Sequence, residues 1–353
     1  MPKWVERSRS AIRQKGLPDM YDDGTPYTGG PRRPFIVEQR LSEQYAAEHT
    51  RLFQLARRVG TPPTASHTSA LKILGIELPE RYVQRFDPHA VHIAVGTPQQ
   101  RHVLSGAVVH LADETMLAEH SQSATAYFNV VSPELALAQM AAALPMLELV
   151  VLGDCMMRRG AQQHTTKARL AEFLTHSSAF TGKRKLIRAV PLMRENTDSS
   201  YETRTRIALA CRGLGSAEVN VGIASDRTTP WSVDMAYTEL MTVLEYDGSF
   251  HMTDVRQAEQ DKEKRNWLRA HHWEVMEITK ARLVDAEARD LLAKDAAAFF
   301  AKALDHPVIA LPCIPIEQLA DTRRIYRAPG LEHPQLDRYF RNTSLYSLLH
   351  ASQ

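Results

Sequence analysis

Apolar positions along the chain recur with a helical period in some stretches and a strand period in others. Leu41, Tyr45, Leu52, Leu55 and Val59 fall at roughly helical spacing and predict one long helix over Phe35–Val59, ended by Thr61-Pro62-Pro63. Ser66-His67-Thr68-Ser69-Ala70-Leu71 opens a second, short helix that stops at Gly75 and Pro79. Two β-like runs follow over Val91–Val95 and Ala107–Leu111. Helical patterning then fills residues 132–159, with Ser132 as N-cap and Pro133 at the first helical position. Its apolar heart, residues 135–153, is interrupted by Gln139, Pro145 and Glu148, and reads as a pair of core helices rather than a membrane span.

The second half reads differently. A helix over residues 198–212 is closed by Gly213 and Gly215, and a strand follows over Glu218–Ile223. Residues 231–251 divide into two short runs rich in Val, Met, Leu and Tyr, parted at Thr238-Glu239, which predicts two adjacent strands joined by a tight turn. A polar helix over residues 254–270 and a strand over residues 273–279 come next. An Ala- and Leu-rich helix then runs to Leu304, with Leu283, Leu291, Phe299, Phe300 and Leu304 as packing residues. It has three uses open to it: a lid, a homodimer contact, or packing on its own domain.

These elements predict an α+β chain: a mostly helical α+β domain over residues 35–160, a mixed αβββαβ core over residues 198–280, and a long helix over residues 281–305. Residues 161–197 read as a basic linker. Residues 306–353, with Pro307, Pro312, Pro315, Pro329 and Pro334, read as an irregular tail. Residues 1–34 hold five prolines and four glycines without periodicity and read as a flexible arm.

Composition adds only bounds. A chain that is 44% hydrophobic and 24% charged is globular rather than disordered. A net charge of +2 does not announce a nucleic-acid binder, so local clustering must carry any such reading. Clustering exists between residues 156 and 212, where twelve Lys and Arg stand against four Asp and Glu and include Lys183-Arg184-Lys185. That run is either a solvated face or a surface that positions phosphates. Cys155, Cys211 and Cys313 lie far apart and show no metal-ligand spacing, which points to a reducing cytoplasm. His89, His92, His102, His110 and His120 are also spread without ligand spacing, and His67 reads as a helix-terminal packing residue.

Chemistry concentrates in residues 231–251. Asp234 lies in the first run, and the second ends in Glu245-Tyr246-Asp247 before turning at Gly248. Alternation puts Glu245 and Asp247 on one face of the strand, with Leu244 and Tyr246 on the other. Pairing of the two strands sets Asp234 beside Glu245, so three carboxylates converge. Such a cluster is unfavourable without a cation, and oxygen-only ligation favours Mg²⁺ or Mn²⁺. Upstream, Ser199 and Glu202 have the S-x-x-E spacing of a capping box, and Glu202 and Arg206 the spacing of an i,i+4 ion pair.

The order helix, strand, strand, strand, helix, strand resembles the core of the PD-(D/E)XK nuclease superfamily, and within it the very-short-patch-repair-like (Vsr-like) endonuclease domain. The residues that carry the resemblance are Glu202, Ser232-Val233-Asp234, Leu244-Glu245-Tyr246-Asp247-Gly248-Ser249-Phe250-His251, Asp254-Val255-Arg256-Gln257 through Asp261-Lys262-Glu263-Lys264, and Trp273-Glu274-Val275. The resemblance implies metal-dependent hydrolysis of DNA phosphodiesters. Asp234 would be the central ligand of Mg²⁺ or Mn²⁺, Glu245 and Asp247 further ligands, Glu202 the holder of a water, and His251 an assisting group. Lys183, Arg184, Lys185, Arg206 and Lys264 would face DNA phosphates. One departure stands out: the superfamily's lysine two residues after the strand's acid is here Asp247. That implies either a mechanism resting on His251 or an inactive nuclease.

The first half resembles abortive-infection AbiEi-type antitoxin proteins. Ser66-His67-Thr68-Ser69-Ala70 through Leu74-Gly75-Ile76, Val91-His92-Ile93, Val131-Ser132-Pro133 through Leu144-Pro145, and residues 154–160 carry that likeness. It implies a bacterial defence or toxin–antitoxin setting with a cognate partner protein. The rival to the endonuclease is thus a DNA-binding antitoxin or regulator that keeps a non-catalytic nuclease fold.

Overall fold

The structure is a computed structural model and describes residues 35–79, 89–225, 230–247, 255–321 and 325–341. Contacts divide the chain into one unit built on residues 33–195 and another on residues 196–342, and both are mixed α+β.

In the first unit, α1 (Phe35–Val59) buries Leu41, Leu52 and Leu55, as their helical spacing requires. β1 (Thr64–Ala65) leads into α2 (His67–Ile73). β2 (Val91–Val95) and β3 (Ala107–Leu111) precede α3 (Glu114–Glu119), β4 (Ser121–Ser123) and β5 (Asn129–Val131). The strands form one mixed sheet in the order β3-β2-β1-β5-β4, in which β1–β5 and β2–β3 are parallel. The apolar stretch becomes two helices, α4 (Pro133–Met140) and α5 (Met146–Met156), divided before Pro145. Ser132 caps α4 by accepting a hydrogen bond from the Leu135 amide.

The basic linker expected over residues 161–197 is folded instead. It forms α6 (Lys167–His176) and α7 (Lys183–Ala189), which bury Leu170, Phe173, Leu174 and Leu186. The apolar stripe at helical spacing outweighs the charges, because lysine heads stay at the surface or on backbone carbonyls while the helix packs.

The second unit opens with α8 (Ser200–Ala210), capped by the Ser199 hydroxyl. β6 (Glu218–Ile223), β7 (Trp231–Tyr237) and β8 (Thr242–Asp247) follow as an antiparallel run, and a 3-10 turn over Thr238–Leu240 joins β7 to β8. α9 (Val255–Ala270) crosses over to β9 (Glu274–Thr279), which pairs parallel with β8. A parallel pair needs such a crossover. The sheet order is β6-β7-β8-β9.

Helices cover both faces of this sheet. Ala208 and Leu209 of α8 and Leu292, Ala296 and Phe300 of α10 (Ala286–Leu304) pack with Met235, Tyr237, Leu244 and Met276 on one face. Leu268 of α9 packs with Val233, Ala236, Val243 and Val275 on the other. α10 therefore lies against its own sheet. Leu291, expected to pack, is 52% exposed, because it falls one residue outside the stripe of Leu292, Ala296 and Phe300.

Of the irregular tail expected over residues 306–353, the described residues 306–321 and 325–341 are packed, and residues 342–353 lie outside the described residues. Val308, Ala328, Leu331, Leu336 and Tyr339 enter the same core, and Ala328 N–H donates to Gly213 O at 2.6 Å. Gly213 makes this approach possible. Its φ is +78°, and a Cβ there would stand 2.7 Å from the Ala328 nitrogen. After Pro315, the short helix α11 (Ile316–Leu319) ends at Ala320. Among the described residues, no helix is long and apolar enough to cross a membrane.

Candidate active site

The β6–β7–β8 sheet is regular except at one place. Val219 and Met235 face the α8–α10 side, whereas Val221 and Val233 face the α9 side, so the paired strands exchange faces at Asn220 and Asp234. Asn220 takes the left-handed conformation that permits this, with φ +49°, and asparagine is among the few residues that tolerate it. Regular pairing of β7 with β8 ends at Met235↔Leu244. Beyond it the Asp234 side chain takes over, accepting the Tyr246 amide on Oδ2 at 2.8 Å. Local departures of this sort re-aim side chains beside active sites.

Three acids meet at this break. Glu245, on β8, is 12% exposed and pairs with Lys264 of α9 at 2.7 Å. The same ammonium donates to Ser232 O at 3.2 Å. Glu202, at the N-terminal turn of α8, is 3% exposed. Its amide donates to Ser199 Oγ at 3.2 Å, and its Oε2 accepts from the Asp198 amide at 3.1 Å. Only the Ser199 half of the S-x-x-E capping box forms, because the Glu202 carboxylate takes the Asp198 amide instead of the Ser199 amide. Asn220 reaches both the Asn196 carbonyl and Glu202 Oε2.

Asp234 is common to the two other acids. Burial pushes the Glu202 carboxyl well up from its usual range, and the charges of Asp234 and Asp198 push it further. Burial raises Glu245 to about 7, Asp234 raises it as well, and Lys264 opposes both. Among the described residues, Glu245 Oε1 is also buried without a hydrogen-bond partner. A buried carboxylate oxygen left bare beside a second carboxylate is the environment that a hard divalent cation would relieve.

The expected three-carboxylate set does not form. Among the described residues, no group of three or more His, Cys, Asp or Glu side chains could hold a metal ion. Asp247 is the residue that drops out, being exposed at the far end of β8. There β8 pairs with Thr279 of β9, past the last β7 partner, and two residues of strand carry it some ~6.6 Å from Glu245. What remains is the pair Asp234 and Glu245, whose charges act on one another. His251 lies outside the described residues.

The phosphate-facing set is also revised. Lys264 is 5% exposed and Arg206 is 1% exposed, the latter donating to Ser216 Oγ at 3.4 Å. Neither is a surface cation. In the other unit, Lys183 donates to Ser177 O at 2.6 Å at the end of α6, and Lys185 donates to Leu144 O at 2.9 Å in the turn between α4 and α5. Arg184 alone of the five is exposed.

Two features escaped the sequence reading. Lys264 supplies the cation beside Glu245, and the spacing of Asp261 and Lys264 on one helix face was its available signal. In the first unit the fold gathers His67, His92 and His110, which no spacing shows. His92 Nδ1 and His110 Nε2 lie 2.9 Å apart, and the His67 and His110 rings stack at 3.7 Å. Burial lowers His67 to about 2 and His110 to about 4, with the neighbouring imidazoles adding to both.

Comparison with protein-family models, with curated proteins and with solved structures finds no match to the chain.

Proposed function

We propose that the unit built on residues 196–342 is a metal-dependent endonuclease domain that hydrolyses DNA phosphodiesters, with Asp234 and Glu245 as the residues that would hold Mg²⁺ or Mn²⁺. The observation that carries this reading is the bare, buried Glu245 Oε1 beside Asp234 at the one irregular place in the sheet. The α8, β6–β7–β8, α9, β9 order supports assigning it to a restriction-endonuclease-like core of the Vsr-like kind. A bound divalent cation would offset phosphate charge and acidify an attacking water.

The chain's own groups have distinct tasks. Lys264 holds Glu245 Oε2 at 2.7 Å and favours its ionised form. The Tyr246 amide fixes Asp234 Oδ2, and Glu202, anchored by Ser199 and Asp198, adds negative potential behind Asp234. Lys264 takes over from α9 the cationic task that a lysine at position 247 would have performed.

A second reading has one observation in its favour. Lys264 already occupies Glu245 Oε2, and no three-ligand group is assembled among the described residues. On that reading the domain is the scaffold of a DNA-binding antitoxin or regulator, in the defence or toxin–antitoxin setting that residues 35–160 suggest. Purified protein incubated with supercoiled, linear and mismatched DNA in Mg²⁺ or Mn²⁺ separates the two. Cleavage that Asp234→Ala abolishes supports the endonuclease; salt-sensitive binding without cleavage in either metal supports the regulator.

A further inference from the structure

Cys211 and Cys313 are far apart in sequence, yet the fold lays them together. Cys211 is the C-cap of α8, and its carbonyl accepts the Ile314 amide at 2.9 Å. The next carbonyl, that of Arg212, accepts the Leu311 amide, also at 2.9 Å. These bonds pin residues 311–314 across the end of the helix. Cys313 Sγ donates to the Ile314 carbonyl at 3.5 Å, and both thiols are free. The bond from the Ile314 amide to the Cys211 carbonyl lays the backbone of Cys313 directly against that of Cys211, the backbone proximity a disulfide requires. Cys211 is 5% exposed, whereas Cys313 is open to solvent.

We propose that Cys211 and Cys313 form an oxidant-responsive disulfide that staples residues 306–341 to the end of α8. The oxidant is a peroxide. Cys313, the accessible partner, attacks one peroxide oxygen; the O–O bond breaks, one water leaves, and Cys313 becomes a sulfenic acid. The Cys211 sulfur then attacks the Cys313 sulfur and gives up its proton, and the hydroxyl departs with that proton as a second water. The S–S bond so formed balances two thiols oxidised against one peroxide reduced. Burial, with Cys313 alongside, pushes the Cys211 thiol up to about 12, so it resolves the sulfenic acid by proximity rather than by prior ionisation. The closed loop contains the whole β6–β9 sheet, where cross-linking strongly restricts the unfolded chain. None of this depends on the endonuclease reading.

The test uses the full chain, reduced, desalted and treated with hydrogen peroxide. Non-reducing digestion and mass spectrometry should show a Cys211–Cys313 peptide pair, lighter than the two free peptides by two hydrogens. Tm should rise by roughly 10 °C and return after dithiothreitol. Cys313→Ser, at an exposed position, should lose both the pair and the rise, while Cys155→Ser keeps both. Three results would overturn the proposal: Cys313 accumulating as sulfinic or sulfonic acid with Cys211 still alkylatable after denaturation, disulfides only between molecules through Cys313, or an intramolecular pair that leaves Tm unchanged.

Discussion

Replacing Lys264 by methionine probes the acid cluster without touching an acid. The side chain is 5% exposed and makes two hydrogen bonds, to Glu245 Oε2 at 2.7 Å and Ser232 O at 3.2 Å. Losing them leaves two buried acceptors short of a donor, a loss of about 1–2 kcal/mol even when Glu245 is neutral. The rest of the effect depends on pH. In the intact protein Glu245 ionises at about 7, a value held down by Lys264 against burial and Asp234. Without the ammonium the folded-state value rises further. Above 7 the variant then keeps a proton that the intact protein has released. The unfolded chain, at 4.5, has released it in both cases. Stability of the variant therefore falls more steeply with rising pH, by up to about 1.36 kcal/mol per pH unit. The expected destabilisation is about 1–2 kcal/mol near pH 6 and about 3–4 kcal/mol near pH 8.5, approaching the 3–5 kcal/mol typical of a broken buried pair. Urea unfolding with chelator present measures this as a change in midpoint at unchanged slope. Adding Glu245→Gln should remove the pH-dependent part. A destabilisation equal at the two pH values, or no recovery in the double variant, would refute the electrostatic account of the cluster.

Other outcomes test separate parts of the molecule. Mn²⁺ at about 100 times its Kd should stabilise the intact chain by about 2.7 kcal/mol in calorimetry, and Asp234→Asn should lose that gain while being more stable than the parent without metal, because one of the crowded charges is gone. The histidine cluster should make the first unit acid-labile. His67 and His110 have lowered folded-state values, so below 6.5 the unfolded chain takes up protons that the fold refuses, and stability is lost as pH falls from 6.5 toward 4. His110→Phe should flatten the Tm-versus-pH curve over that window; an unchanged slope counts against the cluster as its cause. Gly213→Ala, with φ +78° and a Cβ 2.7 Å from the Ala328 nitrogen, should lower stability by about 2–4 kcal/mol, whereas Gly75→Ala, with φ +67° and nothing within 4 Å, should lose only about 1 kcal/mol of backbone strain. Equal losses at the two glycines would mean that the approach of residues 306–341 is not tight.

What could be read from the sequence follows the length of each pattern. β6, β7, β8 and the helix before them carry enough apolar positions to declare themselves, and the turn at Thr238-Glu239 lies where the two runs part. β1, β4 and β5 are two or three residues long, too short to show any period, so the first unit's sheet was legible only through Val91–Val95 and Ala107–Leu111. Charge misled where it was counted without its partners. Lys183 and Lys185 look like phosphate anchors in the sequence, but each turns its ammonium onto a backbone carbonyl of its own unit. Asp234 and Glu245 were legible as candidates because they flank the last regular pair of β7 and β8, Met235 with Leu244. Asp247 was not, because the sequence does not say where β7 stops accompanying β8. The contact of Cys211 with Cys313 had no signal at all, since it depends on how residues 306–341 return to the core.

Glu48 and Glu245 of this chain are supplied with partners very differently. Glu48 of α1 is fully buried in the first unit, and its oxygens are well supplied: Lys72 donates to Oε2 at 2.9 Å, Arg51 lies 3.3 Å from the same atom, and the Ser69 hydroxyl donates to Oε1. That is how this sequence treats a carboxylate whose task is to hold a helix in place: two cations and a hydroxyl for one acid. Glu245 receives one cation, one bare oxygen and Asp234 as a neighbour. A structural role would favour the first arrangement, because a half-satisfied buried acid is worse than an apolar side chain of the same size. The second arrangement persists next to a left-handed asparagine and a strand that gives up its regular pairing, so several separate departures from the most stable choice fall within a few residues of one another. Clustering of that sort is what a binding site leaves behind when its ligand supplies the missing interactions.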